Sequence, residues 1–340
     1  MTEQLRVAAR SFVALRPTPG AHRVALRAGV SVLVPLLAVV VLGRPEWSPY
    51  AAFGAFTSLY GRNHVHLSRA VMQASAGLAL ILCVAAGAAV GSSPGRPWLA
   101  VVVGALVAAL GTTLAQAQDW HPPGPLFLVF AFGAVSSVPH SLGDVPVALA
   151  VAGSSALFAW LLGNAHGLLR GAPSRPSQRR PAHAGTAVRA AVAILLAGSA
   201  ATAAGIGHPY WAMVAAVAPL GAPGATHQVV RAGQRIVGTL AGLATAAAVL
   251  ALGLEPVPVV LAVAVLQVVT ELLIGRNYAV ALLFITPMAL LMGQIAAPRP
   301  MGLLLLDRGS ETVIGACVAL VVVLTGVLVR RRTAGFLATG

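Results

Sequence analysis

Twelve apolar runs follow one another along this 340-residue chain, at about 25–43, 48–61, 70–91, 98–117, 124–139, 145–168, 187–206, 209–222, 232–252, 257–274, 278–293 and 310–329. Most approach the roughly 20 residues that a helix needs to cross the hydrocarbon core of a bilayer. Burying so many runs in a water-soluble core would demand a polar shell. Only 9% of the residues are charged and the mean hydropathy is +0.87, whereas soluble domains carry about 25% charged residues. The pattern therefore predicts an all-α polytopic membrane protein of about twelve transmembrane helices. Two runs, "SPYAAFGAFTSLYG" and "PYWAMVAAVAPLGA", hold only 14 residues each, so short or broken helices are expected there.

All 22 basic residues are Arg. Without Lys there is no phosphate-binding P-loop and no Schiff base, so active transport must draw on an ion gradient or a partner. The Arg residues sit in short loops between apolar runs, which points to topology rather than to nucleic acid. Cys83 and Cys317 fall inside apolar runs and read as small apolar residues. "GSSPG" (Gly91–Gly95) lacks the strand-turn-helix context of a catalytic serine, and "HVH" (His64, His66) has no further ligand nearby. No enzyme signature, metal site or cofactor is implied.

The stretch 170–186, rich in Arg, Pro and Ser, reads as a cytoplasmic linker. It separates a first transmembrane repeat (24–169) from a second (187–329), with cytoplasmic tails at 1–23 and 330–340. The halves correspond at a spacing near 162: Arg27 with Arg189, Arg69 with Arg231, Gly153 with Gly315. With twelve spans and both termini inside, inner segments hold 18 Arg. Outer loops then hold four, Arg44, Arg96, Arg299 and Arg308. That asymmetry obeys the positive-inside rule and favours two parallel six-helix repeats in a cytoplasmic membrane.

Arg231 and Arg235 lie one turn apart on the helix that begins the run 232–252. The seven Leu, Ile and Val residues between Ile236 and Leu252 favour insertion by roughly 2–4 kcal/mol, whereas each lipid-facing Arg at depth opposes it by about 2.5–3.5 kcal/mol. The pair must therefore lie at the inner interface or face protein. In the first case it snorkels; in the second it collects an anionic substrate. Gly238 and Gly242 form a small-xxx-small face for a neighbouring helix. Glu271 and Glu311 are carboxylates near helix ends; Glu311 has Arg308 three residues before it, within reach of a helical pair. The two short runs occupy matching places, a pointer to a transporter's binding site. Their aromatic tips, Trp47 and Tyr50 and then Tyr210 and Trp211, read first as interfacial anchors.

Taken together, "HPYWAMVAAVAPLG", "RAGQRIVGTLAG", "ELLIGRNYAVALLFITPMALLM" and "DRGSETVIGA" resemble the fusaric-acid-resistance-like family of integral membrane transporters, FUSC or aromatic acid exporter-like. The resemblance covers about 187–329 and, more loosely, "WSPYAAFGAFTSLYGR". Its motifs fall on Arg231, Arg235, Ile236, Gly238, Thr239 and Gly242, and on Arg308, Glu311, Thr312 and Gly315. It implies a two-repeat helical membrane domain that exports small organic, in some members aromatic, acids. It also implies kinship with plant malate channels, hence a rival reading as a dimeric passive anion channel. A non-transporting membrane scaffold is a third reading. The first half departs from the pattern, with Gln73 where Arg235 would map. The substrate-pathway candidates are Arg231, Arg235, Glu271, Arg276, Arg308, Glu311, Tyr210, Trp211, Arg69 and Tyr50, and the helix-packing residues are Gly238, Gly242 and Gly315. The expected partners are an organic anion, the bilayer and a second copy of the chain.

Overall fold

The computed structural model describes residues 10, 12–15, 17–18, 20–61, 66–169 and 183–337. Arg62, His64 and the bulk of the linker lie outside these residues. Among the described residues the regular structure is helical, and twelve α-helices fall into two sets of six. The first set is α1 (Ala21–Val41), α2 (Ser48–Ala55), α3 (His66–Gly91), α4 (Arg96–Ala117), α5 (Leu126–Ser136) and α6 (Asp144–Leu169). The second is α7 (Ala184–Ala203), α8 (Tyr210–Leu220), α9 (Ala225–Leu250), α10 (Pro256–Leu273), α11 (Tyr278–Ala296) and α12 (Met301–Leu337).

Nine of these helices are long and apolar enough to cross a membrane. The other three, α2, α5 and α8, are not. An 11-residue helix such as α8 spans about 16 Å, half of a bilayer's roughly 30 Å hydrocarbon core. Helix ends at membrane depth leave backbone groups unpaired unless protein surrounds them. α2 and α8 meet that condition, since Tyr50–Gly61 and Trp211–Pro219 are buried throughout; α5 is buried at Leu128, Val129, Ala131–Gly133 and Val135–Ser136. Sequence length flagged two of the three. The run 124–139 hid the third, because α5 starts only after Pro125 and stops at Ser136.

The long helices carry their large apolar side chains outward: Leu82, Leu106, Leu110, Leu324 and Leu328 are each more than half exposed. In water such a belt would be a liability; in lipid it is the expected surface. All-α polytopic membrane architecture follows.

The two sets repeat each other's packing. α3 lies on α5 and α6 as α9 lies on α11 and α12, and α2 lies on α6 as α8 lies on α12. Across the seam, α4 meets α7 and α10 meets α1, while α5 meets α8 and α11 meets α2. This places the short helices at the centre, where Phe53, Phe130 and Trp211 form a run of tilted and edge-on rings. The small-residue contacts are traded between the halves. A Cβ on Gly315 of α12 would strike the carbonyl oxygen of Ala212 of α8. Gly153, its counterpart by sequence, has open space beside it, and Gly54 of α2 makes the close approach to Ala152 of α6 instead.

Candidate anion-binding site

Helix α9 begins at Ala225, after Gly224 in a left-handed conformation, and so starts well before the apolar run proper. Its 26 residues span about 39 Å, longer than the hydrocarbon core. Arg231 therefore lies near one end and Arg235 a turn deeper. Arg235 is only 4% exposed, so it faces protein and not lipid. Its Nη1 donates to the Tyr278 hydroxyl at 2.8 Å, and the Arg231 guanidinium lies over the same ring, 4.2 Å from its centre. Gly238 and Gly242 allow this. A Cβ at these positions would come within 2.5 Å of the Ala279 carbonyl and 2.6 Å of the Leu282 carbonyl. Glycine thus lets α9 press against the start of α11, which carries Tyr278.

Arg308 extends the series. Sequence reading places it in an outer loop, because the last apolar run begins only at 310. In the structure α12 starts nine residues earlier, and Arg308 is inside it, 1% exposed. Its neighbour Gly309 faces Leu240 and Leu243 of α9, one to two turns beyond Arg235. The Arg308 guanidinium lies 3.7 Å above the Trp211 ring. None of its three guanidinium nitrogens has a hydrogen-bond partner among the described residues.

The helical pair between Arg308 and Glu311 does not form. No ion pair joins them within 4.0 Å among the described residues. Arg308 turns onto the Trp211 face, whereas Glu311, fully buried, points to the start of α8. There its Oε1 accepts the His208 backbone N–H at 2.9 Å, a favourable place for a carboxylate at a helix N-terminus. Its Oε2 has no hydrogen-bond partner among the described residues. One turn earlier on α12, Asp307 lies 3.4 Å from Arg299 and 3.6 Å from His208. Arg299 Nη1 is also 2.6 Å from His208 Nδ1, so the imidazole accepts. Burial first, then the Arg299 charge, pushes the His208 pKa down to about 4. Beside this cluster a cavity of about 60 Å³ reaches Tyr210 and Trp211.

A buried guanidinium costs several kcal/mol when its donors are unpaired, and a desolvated cation–π contact returns about 2 kcal/mol. Trp211 therefore offsets only part of the cost at Arg308. A carboxylate matches the planar guanidinium fork with two parallel hydrogen bonds. The guanidinium of Arg308, without hydrogen-bond partners among the described residues, has donor chemistry suited to a carboxylate.

The remaining candidates separate from this cluster. Trp211 and Tyr50 are buried, at 3% each, so they are core residues rather than interfacial anchors, held in by the inward position of the short helices. Tyr50 bonds His140 at 3.1 Å. Tyr210 stacks on Phe130 across the seam. Arg69 reaches Asn164 at 3.5 Å. Glu271 is buried on α10, where Gln267 donates to it, and Arg276 is exposed in the α10–α11 turn, donating to Thr18. Sequence reading missed Tyr278 and Asp307. The Asn277 N-cap marks where α11 starts and is the one local signal for Tyr278.

A family comparison bears on this region. Residues 192–322 match the family model described as fusaric acid resistance protein-like. This fusaric acid resistance protein-like region runs from α7 into α12 and contains Trp211, Arg231, Arg235, Tyr278, Arg308 and Glu311. No curated protein and no solved structure matches the chain. The family match and the helical membrane architecture together suggest a membrane transporter.

Proposed function

We propose that the protein exports small organic anions across the cytoplasmic membrane, with both termini inside and the route within its second half. The observation that carries this reading is Arg308, fully buried, its guanidinium nitrogens without hydrogen-bond partners among the described residues, and set beyond Arg231 and Arg235. Three positive charges, two on α9 and one on α12, attract an anion and seat it at depth. Glu311, one turn from Arg308, carries the coupling proton, and no enzymatic step is involved. Aromatic acids are the favoured substrate class, because Trp211 and Tyr210 border the seat. The outward apolar belt packs against lipid, and a second copy of the chain is the proposed partner.

The test is flux in proteoliposomes for a panel of carboxylic acids, benzoate and malate included, with and without a pH gradient. Gradient-dependent flux that Arg231→Ala/Arg235→Ala abolishes supports the reading. Flux indifferent to the gradient identifies a passive channel, and full flux in the double variant at normal expression contradicts the assigned route.

A further inference from the structure

A cavity of about 660 Å³ opens in the seam between the halves, at the end where α4 finishes and α7 begins. Its size falls within the roughly 300–1,000 Å³ of small-molecule sites, which favour interfaces of this kind. It shares no lining residue with the small cavity beside Tyr210 and Trp211. Its walls are tied across the seam. Gln116 of α4 donates to Thr186 Oγ1 of α7 and accepts the His183 backbone N–H at 2.8 Å.

Two opposite charges line this space. One is Arg189 of α7, whose Nη2 donates to Gln228 Oε1 at 3.2 Å. Gln228 is 7% exposed and donates in turn to the Leu220 and Ala222 carbonyls, at 3.1 and 3.0 Å. The guanidinium is thus oriented from the end of α8 and the start of α9. The other charge is Asp119, in the α4–α5 loop. It stands at φ 50°, in the left-handed region that Asp and Asn tolerate better than most residues. Its neighbour Trp120 fixes it there, the backbone N–H donating to the Ala115 carbonyl at 2.8 Å and the buried indole to Ser75 at 3.1 Å. No ion pair joins Asp119 to Arg189 within 4.0 Å among the described residues. Pro123, Val217 and Leu220 add an apolar wall.

We propose that this cavity binds a small zwitterion with an apolar body, an amino acid with a hydrocarbon or aromatic side chain, its carboxylate on Arg189 and its ammonium on Asp119. Both contacts are charge-assisted hydrogen bonds, and the side chain displaces water from the apolar wall. A plain organic anion gains Arg189 but meets the repulsion of Asp119. The ligand class therefore differs from that of the anion seat at Arg308, and the site stands or falls without it.

The test is calorimetric titration of the purified full chain with L-phenylalanine, with 3-phenylpropionate, which lacks the ammonium, and with phenethylamine, which lacks the carboxylate. Phenylalanine should bind saturably, and each analogue at least about tenfold more weakly, the scale of one charged hydrogen bond. Asp119→Asn, which suits the same backbone, should weaken phenylalanine by about tenfold or more and should not weaken 3-phenylpropionate. Arg189→Gln should weaken phenylalanine by a like factor and should not weaken phenethylamine. If thermal unfolding shows that Arg189→Gln fails to fold, Asp119→Asn decides. Absence of saturable phenylalanine binding, equal affinity for 3-phenylpropionate in the parent, or indifference of phenylalanine to Asp119→Asn overturns the proposal. Organic-acid flux enters none of these readouts, so failure of the transport reading and failure of this site are told apart.

Discussion

The two halves share six-helix packing yet fill equivalent positions with different chemistry. In the first half, Gln73 occupies the place of Arg235. It is fully buried, donating to the Tyr60 carbonyl at 3.0 Å and accepting from Asn164 at 2.7 Å. Arg69 reaches the same Asn164. These are neutral or partly exposed groups that satisfy one another. In the second half, Arg235, Arg308 and Glu311 are buried with hydrogen-bonding capacity left over. A satisfied polar network rigidifies a core; an unsatisfied one at membrane depth is a functional site by default. The comparison teaches that the two halves share one packing scheme while, among the described residues, buried charge is concentrated in the second.

The comparison breaks most visibly at Arg308. Arg308→Gln should lower anion affinity by about 30-fold or more, the scale of removing one member of a buried charged contact, measured as the KM for flux at matched expression. Gln73→Leu, at the equivalent depth of the first half, should reduce thermal stability by about 1–3 kcal/mol, because Asn164 is left short of a partner. It should leave KM unchanged. A KM shift in both variants would dissolve the distinction between the halves.

Much of this division was legible beforehand, and the physics explains the rest. Helix number and the inward need of Arg235 follow from run length and insertion energy, while the linker expected at 170–186 lies largely outside the described residues. Arg308 was misplaced because Asp307 and Arg308 interrupt an apolar run, and pattern alone reads such an interruption as a loop. Only the packing of α12 between α8 and α9 makes a helix interior of it. Tyr50 and Trp211 were misread for a related reason. Aromatic residues at the edge of a short run resemble an interfacial belt until the run is seen to lie at the bundle centre.

Smaller effects sharpen the comparison further. Gly315→Leu and Gly54→Leu should each impair folding, since both glycines meet a neighbouring backbone carbonyl. Gly153→Leu, with open space beside it, should be tolerated, as thermal unfolding in detergent would show. His208 offers a pH test. Its folded-state pKa is lowered from 6.5 to about 4, so the unfolded chain binds more protons between those values. The contribution of neutral His208 is fully present above pH 6.5 and is lost as pH falls toward 4. Unfolding midpoints should therefore be flat above neutrality and decline in that window. The decline should be shallower in His208→Asn, which has no imidazole to protonate.

The most direct test of the central claim is equilibrium binding of the acid that the flux panel selects to the purified parent chain, Arg308→Gln and Gln73→Leu. The account predicts that Gln73→Leu binds like the parent and that Arg308→Gln loses binding by about 30-fold or more. Equal affinity in Arg308→Gln and the parent would contradict it.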